Sequence, residues 1–150
     1  MPKIRSAVAI WKGSPAIGEG LVSTSSGVMS NALYSFGSST GNEPCTSPSE
    51  MLAAAVASCM SLMMAQEFAK VGLKAEQIKT ESVLTLQEKR GHWDVARIEL
   101  TVHACLPHMD EETFHKVTRS ARAQCPISRA LNVPIKLTAT LETIEHAAAV

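Results

Sequence analysis

The order of patterns along the chain predicts an α+β fold built on antiparallel sheet, and three observations carry that reading. Alternating segments come first, one long apolar helix follows, and a hairpin, a second helix and a last alternating segment complete the order. The chain has 150 residues. That length suits one domain, 1–150, burying about two thirds of its unfolded surface without disulfide staples.

Ile4 to Trp11 alternates, with Ile4, Ser6, Val8 and Ile10 on one side, and reads as a strand. Lys12-Gly13-Ser14-Pro15 is a turn, and Gly18 to Thr24 returns as a second strand whose glycines suggest a bulge or a close backbone approach. Val28 to Phe36 fits a third short strand, and Gly37 to Pro44 a polar loop. The helix then begins sharply. Ser47 is its N-cap, Pro48 its first residue, and Glu50 completes a capping box. From there to Lys70 nothing interrupts, and Gly72 supplies the stop. About 23 residues at 1.5 Å each make a rod of roughly 35 Å. The run Met51 to Ala65 is apolar on nearly every side, so the helix reads as buried almost all round, with Ala53, Ala57, Ser61, Ala65 and Ala69 forming a strip where another backbone can approach. Six strands and one other helix are little cover for it, which points to a second copy of the chain.

After Gly72, Glu76 to Glu88 and Trp93 to Cys105 read as a hairpin around Lys89-Arg90-Gly91-His92. Asp110 caps a helix running to about Gln124, with Phe114, Val117 and Ala121 on its buried stripe. Cys125 falls at the N-cap of a short helix from Pro126 to Leu131, a position that favours a thiolate. Ile135 to Glu142 alternates as the last strand, and His146 to Val150 is a tail.

Composition excludes some functions. With 14 basic and 14 acidic residues and no basic run, the chain lacks an electrostatic footprint for nucleic acid or anionic lipid. The N-terminal residues lack the apolar core of a signal peptide, and the apolar run is shorter than the roughly 20 residues of a membrane span, so the expectation is a cytoplasmic protein with no membrane partner. Four cysteines, Cys45, Cys59, Cys105 and Cys125, then suggest redox or metal chemistry, or neither. Zinc is not expected, because the nearest approach to a ligand pair is His103-x-Cys105.

Several short motifs occur in one order along almost the full chain: Trp11-Lys12-Gly13, Gly18-x-Gly20, Val22 to Val28, Tyr34-x-Phe36, Thr46 to Glu50, Ala57-Ser58-Cys59-Met60-Ser61 and Cys125-Pro126-Ile127-Ser128. The set, with two cysteines 66 positions apart, resembles the OsmC/Ohr superfamily of thiol-dependent hydroperoxide reductases, and its OsmC branch more than its Ohr branch. The resemblance implies an intertwined homodimer with antiparallel sheets wrapped around long central helices. It implies Cys59 as the peroxidatic cysteine and Cys125 as the resolving one, acting through a Cys59 sulfenic acid and a Cys59–Cys125 disulfide. It also implies an organic hydroperoxide as substrate and an external dithiol such as a dihydrolipoyl group as reductant, with no cofactor or metal. Met60, Met63, Met64 and Phe36 are then expected as apolar walls that favour organic over hydrogen peroxide.

The sequence departs from the family pattern beside the sulfur. Family members place an arginine, paired with a glutamate, near the peroxidatic cysteine; here those positions carry Ser39 and Ser49, and no arginine occurs between Arg5 and Arg90. Lys12 is a candidate substitute cation, though a point charge lacks the guanidinium fork. Glu50 is a candidate carboxylate only across a dimer, since nine helical residues separate it from Cys59 by about 13 Å, and its capping role already explains it. Cys45 and Cys105 match no family position; Cys45 is an alternative resolving thiol. The competing reading is an OsmC-like protein of weak or no peroxidase activity that binds a small apolar or thiol ligand in the dimer cleft.

Overall fold

The computed structural model describes residues 1–36, 39–40 and 43–144, with backbone alone at 39, 40 and 43. It divides into two compact units, Met1–Met51 and the chain from Leu52 onward. The expected tail at His146 to Val150 lies outside the described residues, as does the side chain of Ser39.

The first unit holds an antiparallel sheet of β1 (Ala7–Lys12), β2 (Glu19–Thr24) and β3 (Ala32–Tyr34). Ala7 faces Thr24, Lys12 faces Glu19, and Gly20 faces Tyr34. A β-carbon on Gly20 would come within 2.6 Å of the Tyr34 ring, so this glycine serves the close approach its sequence position suggested. The third strand is shorter than Val28 to Phe36, because Thr24 and Met29 close a turn (N–H to carbonyl, 2.9 Å) and Asn31 takes a φ of 51°. The polar loop carries a small strand pair of its own, β4 (Ser39–Thr40) with β5 (Glu43–Pro44). All six residues of β1 are exposed, Val8 at 64%. Its apolar alternation therefore stands uncovered among the described residues.

Helix α1 (Pro48–Lys70) begins where the capping signal placed it: the Glu50 N–H donates to Ser47 Oγ at 3.2 Å. Gly72, with φ 76°, ends it and donates its N–H to Ala69. Within the single chain the helix is covered on one face: Val56, Met60, Met64 and Phe68 form a buried stripe at i, i+4 spacing with Glu67 beside it, while Leu62 on another face is 56% exposed. By length and hydropathy alone α1 also qualifies as a membrane span; its buried stripe shows it acting as a core helix.

In the second unit β6 (Gln77–Lys89) pairs antiparallel with β7 (His92–Leu106), with an irregularity at Thr85/Leu86. Arg90 and Gly91, both at positive φ, make the two-residue turn between them. Helices α2 (Glu111–Gln124) and α3 (Pro126–Ala130) follow, and β8 (Ile135–Thr143) lies parallel to β7. This corrects the expectation of a purely antiparallel arrangement. A hairpin would have reversed the chain, but the two-helix crossover returns it to the same end of the sheet, and such connections join parallel strands. The core is a sandwich of sheet and helices: Ile98, Leu100, Val102, Ala104 and Leu106 from β7 meet Val56, Met60, Met64 and Phe68 of α1 and Phe114, Val117 and Ala121 of α2. The Phe68 and Phe114 rings stack with centroids 6.3 Å apart. Asp110 caps α2 by accepting the Thr113 N–H at 2.8 Å.

Candidate functional site

Cys59 lies midway along α1, one position before the fully buried Met60 and one after the exposed Ser58, so its thiol is half-buried at the margin of the core stripe. Cys125 is both the C-cap of α2 and the N-cap of α3. Pro126 explains the break: it cannot continue α2, yet its fixed φ and missing N–H suit the first position of α3. The next N–H groups of that turn, those of Ile127 and Ser128, act to lower the thiol's pKa. Cys125 is fully buried.

The two sulfurs lie 3.1 Å apart, although they come from elements far apart in sequence. Ser128 Oγ donates to Cys125 Sγ at 3.2 Å. This pairing mimics a capping box, with the side chain of the third helical residue reaching back to the cap. Ser128 was legible in Cys125-Pro126-Ile127-Ser128 as part of a motif, but its contact with the sulfur was not foreseen.

The environments push the two thiols apart. Burial raises Cys59 above its ordinary value, the neighbouring Cys125 adds to this, and the Ile127 N–H acts the other way. At Cys125 burial also acts upward, but the Ser128 hydroxyl and N–H, the Cys59 proton and the Ile127 N–H outweigh it, and the thiol ends below its ordinary value. Of the two thiols, Cys125 is therefore the more acidic and Cys59 the less.

The other expected residues stand elsewhere. Lys12 ends β1 and Glu50 lies in the first turn of α1, both in the first unit, whereas the thiol pair is in the second. Ser49 hydrogen-bonds with Ser47 through their hydroxyls at 3.1 Å. Cys45 contacts Ser35 Oγ at 3.1 Å, and Cys105 donates to Glu142 Oε2 at 3.2 Å. The expectation of Met60 and Met64 as pocket walls is corrected: both are fully buried in the core of the second unit. Phe36 instead lines a hollow of about 230 Å³ in the first unit with Trp11, Tyr34 and Pro48. Among the described residues no cluster of three or more His, Cys, Asp or Glu side chains is suited to hold a metal.

An α+β chain whose two cysteines meet between a long core helix and a Cys-Pro turn defines a class of two-cysteine proteins, and comparison with known sequences and structures says which. The family model described as OsmC-like protein matches residues 40–140. Peroxiredoxin OsmC of Escherichia coli is 31% identical over 129 residues, covering 86% of this chain and 90% of that protein. The chain belongs to the OsmC family. An uncharacterized protein of Bacillus subtilis, YmaD, is 30% identical over 103 residues, 65% of this chain and 69% of that one. The fold matches an OsmC-like protein of unknown function from Vibrio cholerae with a TM-score of 0.76 (18% identity, 93% of this chain, 100% of the other). It also matches the organic hydroperoxide resistance protein OhrB of Bacillus subtilis with a TM-score of 0.66 (19% identity, 90% and 98%).

Proposed function

We propose that this protein is a thiol-dependent peroxidase that reduces organic hydroperoxides to alcohols, with Cys59 peroxidatic and Cys125 resolving. The 3.1 Å separation of their sulfurs carries the reading. Support comes from the relative named peroxiredoxin OsmC and from fold neighbours named for organic hydroperoxide resistance. A family match running through the division at Met51 supports one OsmC-like domain over 1–150.

The chemistry follows from the meeting of the two sulfurs. Cys59 gives up its proton and, as a thiolate, attacks the terminal oxygen of ROOH. The O–O bond breaks, the alkoxide takes a proton to leave as ROH, and Cys59 becomes a sulfenic acid. Cys125 then gives up its own proton and attacks that sulfur; the S–S bond forms, and hydroxide leaves with that proton as water. Two thiols are oxidised and one peroxide is reduced. An external dithiol, such as a dihydrolipoyl group, restores the pair by exchange. In place of the family's arginine only the Ile127 N–H favours the Cys59 thiolate, while Cys125 and burial oppose it, and we expect a slower enzyme than relatives that carry the arginine. Lys12 remains a candidate cation for this scheme, and Glu50 enters it only through a second subunit.

The homodimer is part of the proposal. The uncovered face of α1 around Leu62 and the exposed apolar side chains of β1 are the surfaces a second copy would cover. A reducing compartment such as the cytoplasm would keep the thiols free. The second reading, a binding protein for a small apolar ligand, is favoured by one observation, the aromatic hollow at Trp11, Tyr34 and Phe36. Rapid-mixing consumption of an alkyl hydroperoxide by reduced protein separates the two. The wild type should consume about one equivalent in a single turnover, and Cys59→Ser none; consumption by Cys59→Ser at the wild-type rate would refute the assignment.

A further inference from the structure

A cavity of about 450 Å³ opens in the second unit where the last turns of α2, the helix α3 and the approach to β8 meet. Arg119 and Arg122, three residues apart on one face of α2, and Arg129 of α3 line it, while Leu131, Val133 and Ile135 supply apolar wall. Its volume lies within the range of roughly 300–1,000 Å³ common to small-molecule sites.

Among the described residues no carboxylate pairs with any of the three arginines. The acids of α2 itself, Glu111 and Glu112, stand at its opposite end and face His115 and Lys116. Placing a cation in the last turn of α2 accounts for Arg122 by the helix dipole. It does not account for three exposed arginines lining one cavity in a chain whose net charge is zero. Like charges gathered without a counterion repel one another, and an oxyanion would relieve that repulsion through the planar forks that arginine presents. The wall formed by Leu131, Val133 and Ile135 needs apolar contact as well.

The geometry points to a binding site for an amphipathic oxyanion, a carboxylate or phosphate head on an aliphatic chain, with the head on Arg119, Arg122 and Arg129 and the chain along Leu131, Val133 and Ile135. Ser128 lines the same cavity and touches Cys125, so an occupant would lie one side chain from the thiol pair. The site stands independently of the peroxide reading, because its test involves no peroxide.

Calorimetric titration of the reduced full-length protein with octanoate, octyl phosphate, octanol and inorganic phosphate is the test. At least one of the two amphipathic anions should bind with Kd at or below about 1 mM. Octanol and inorganic phosphate should each bind at least about tenfold more weakly, since each offers half of the required contact. Arg119→Gln/Arg122→Gln should weaken the anion about tenfold or more while leaving octanol unchanged. If that variant fails to fold, raising the salt about tenfold should weaken anion binding to the wild type several-fold. Binding of octanol equal to that of the anions would overturn the proposal, as would equal binding of inorganic phosphate, an undiminished affinity in the folded variant, or no binding of either amphipathic anion.

Discussion

Ser128 is the residue on which the state of the thiol pair most depends. Its hydroxyl donates to Cys125 Sγ and favours the thiolate over the thiol. Ser128→Ala should therefore move the midpoint of thiolate ultraviolet absorbance upward. An unchanged midpoint would show that the backbone N–H groups alone hold the charge. Glu67 offers a second single-residue test. The Lys70 side chain first, and Ser120 and Gln124 with it, hold its carboxyl below the ordinary value of 4.5. A lowered folded-state value means that the folded protein keeps its carboxylate where the unfolded chain takes up a proton. This contribution to stability is complete well above 4.5 and is lost as pH falls from there through the lower folded value. Chemical denaturation at stepped acid pH should therefore show a shallower loss for Glu67→Gln than for the wild type. At this scale the sequence was informative where local rules act: Pro126 marked Cys125 as a cap, and Asp110 and Ser47 marked their helices. It could not show that Met60 and Met64 point into the core, because an all-round apolar helix gives no period by which to tell its faces apart.

Among the elements, α1 was the most legible and β8 the least. Capping box, length and stop of α1 all lie in local sequence, and its observed span starts and ends as those signals indicate. The alternation of Ile135, Leu137, Ala139 and Leu141 marks a strand with one apolar face in either direction; only the two-helix crossover makes it parallel to β7. The end of the third strand was hidden for another reason, the turn bonds between Thr24 and Met29, which no hydrophobic pattern records. The core that joins these elements has a clear weak point. Phe68 is fully buried and stacked on Phe114, so Phe68→Ala should destabilise the protein by about 3–5 kcal/mol in denaturant titration. A loss under about 1 kcal/mol would mean that α1 does not pack on this core in solution.

For the whole molecule, the proposal of a dimer explains why a helix apolar on every side is covered on only one. Leu62→Glu would place a charge on the uncovered face, and sedimentation should then find monomer or unfolded chain where the wild type sediments as a dimer. A wild type that sediments as a folded monomer at low micromolar concentration would remove the dimer from the account. The central claim, however, is that Cys59 and Cys125 act as one redox unit. Peptide mapping under non-reducing conditions, after reduced protein meets about one equivalent of an organic hydroperoxide, tests it most directly. The 3.1 Å separation of the sulfurs predicts a Cys59–Cys125 disulfide as the main product; Cys59 joined to Cys45, or left unpaired as sulfinic acid, would contradict it.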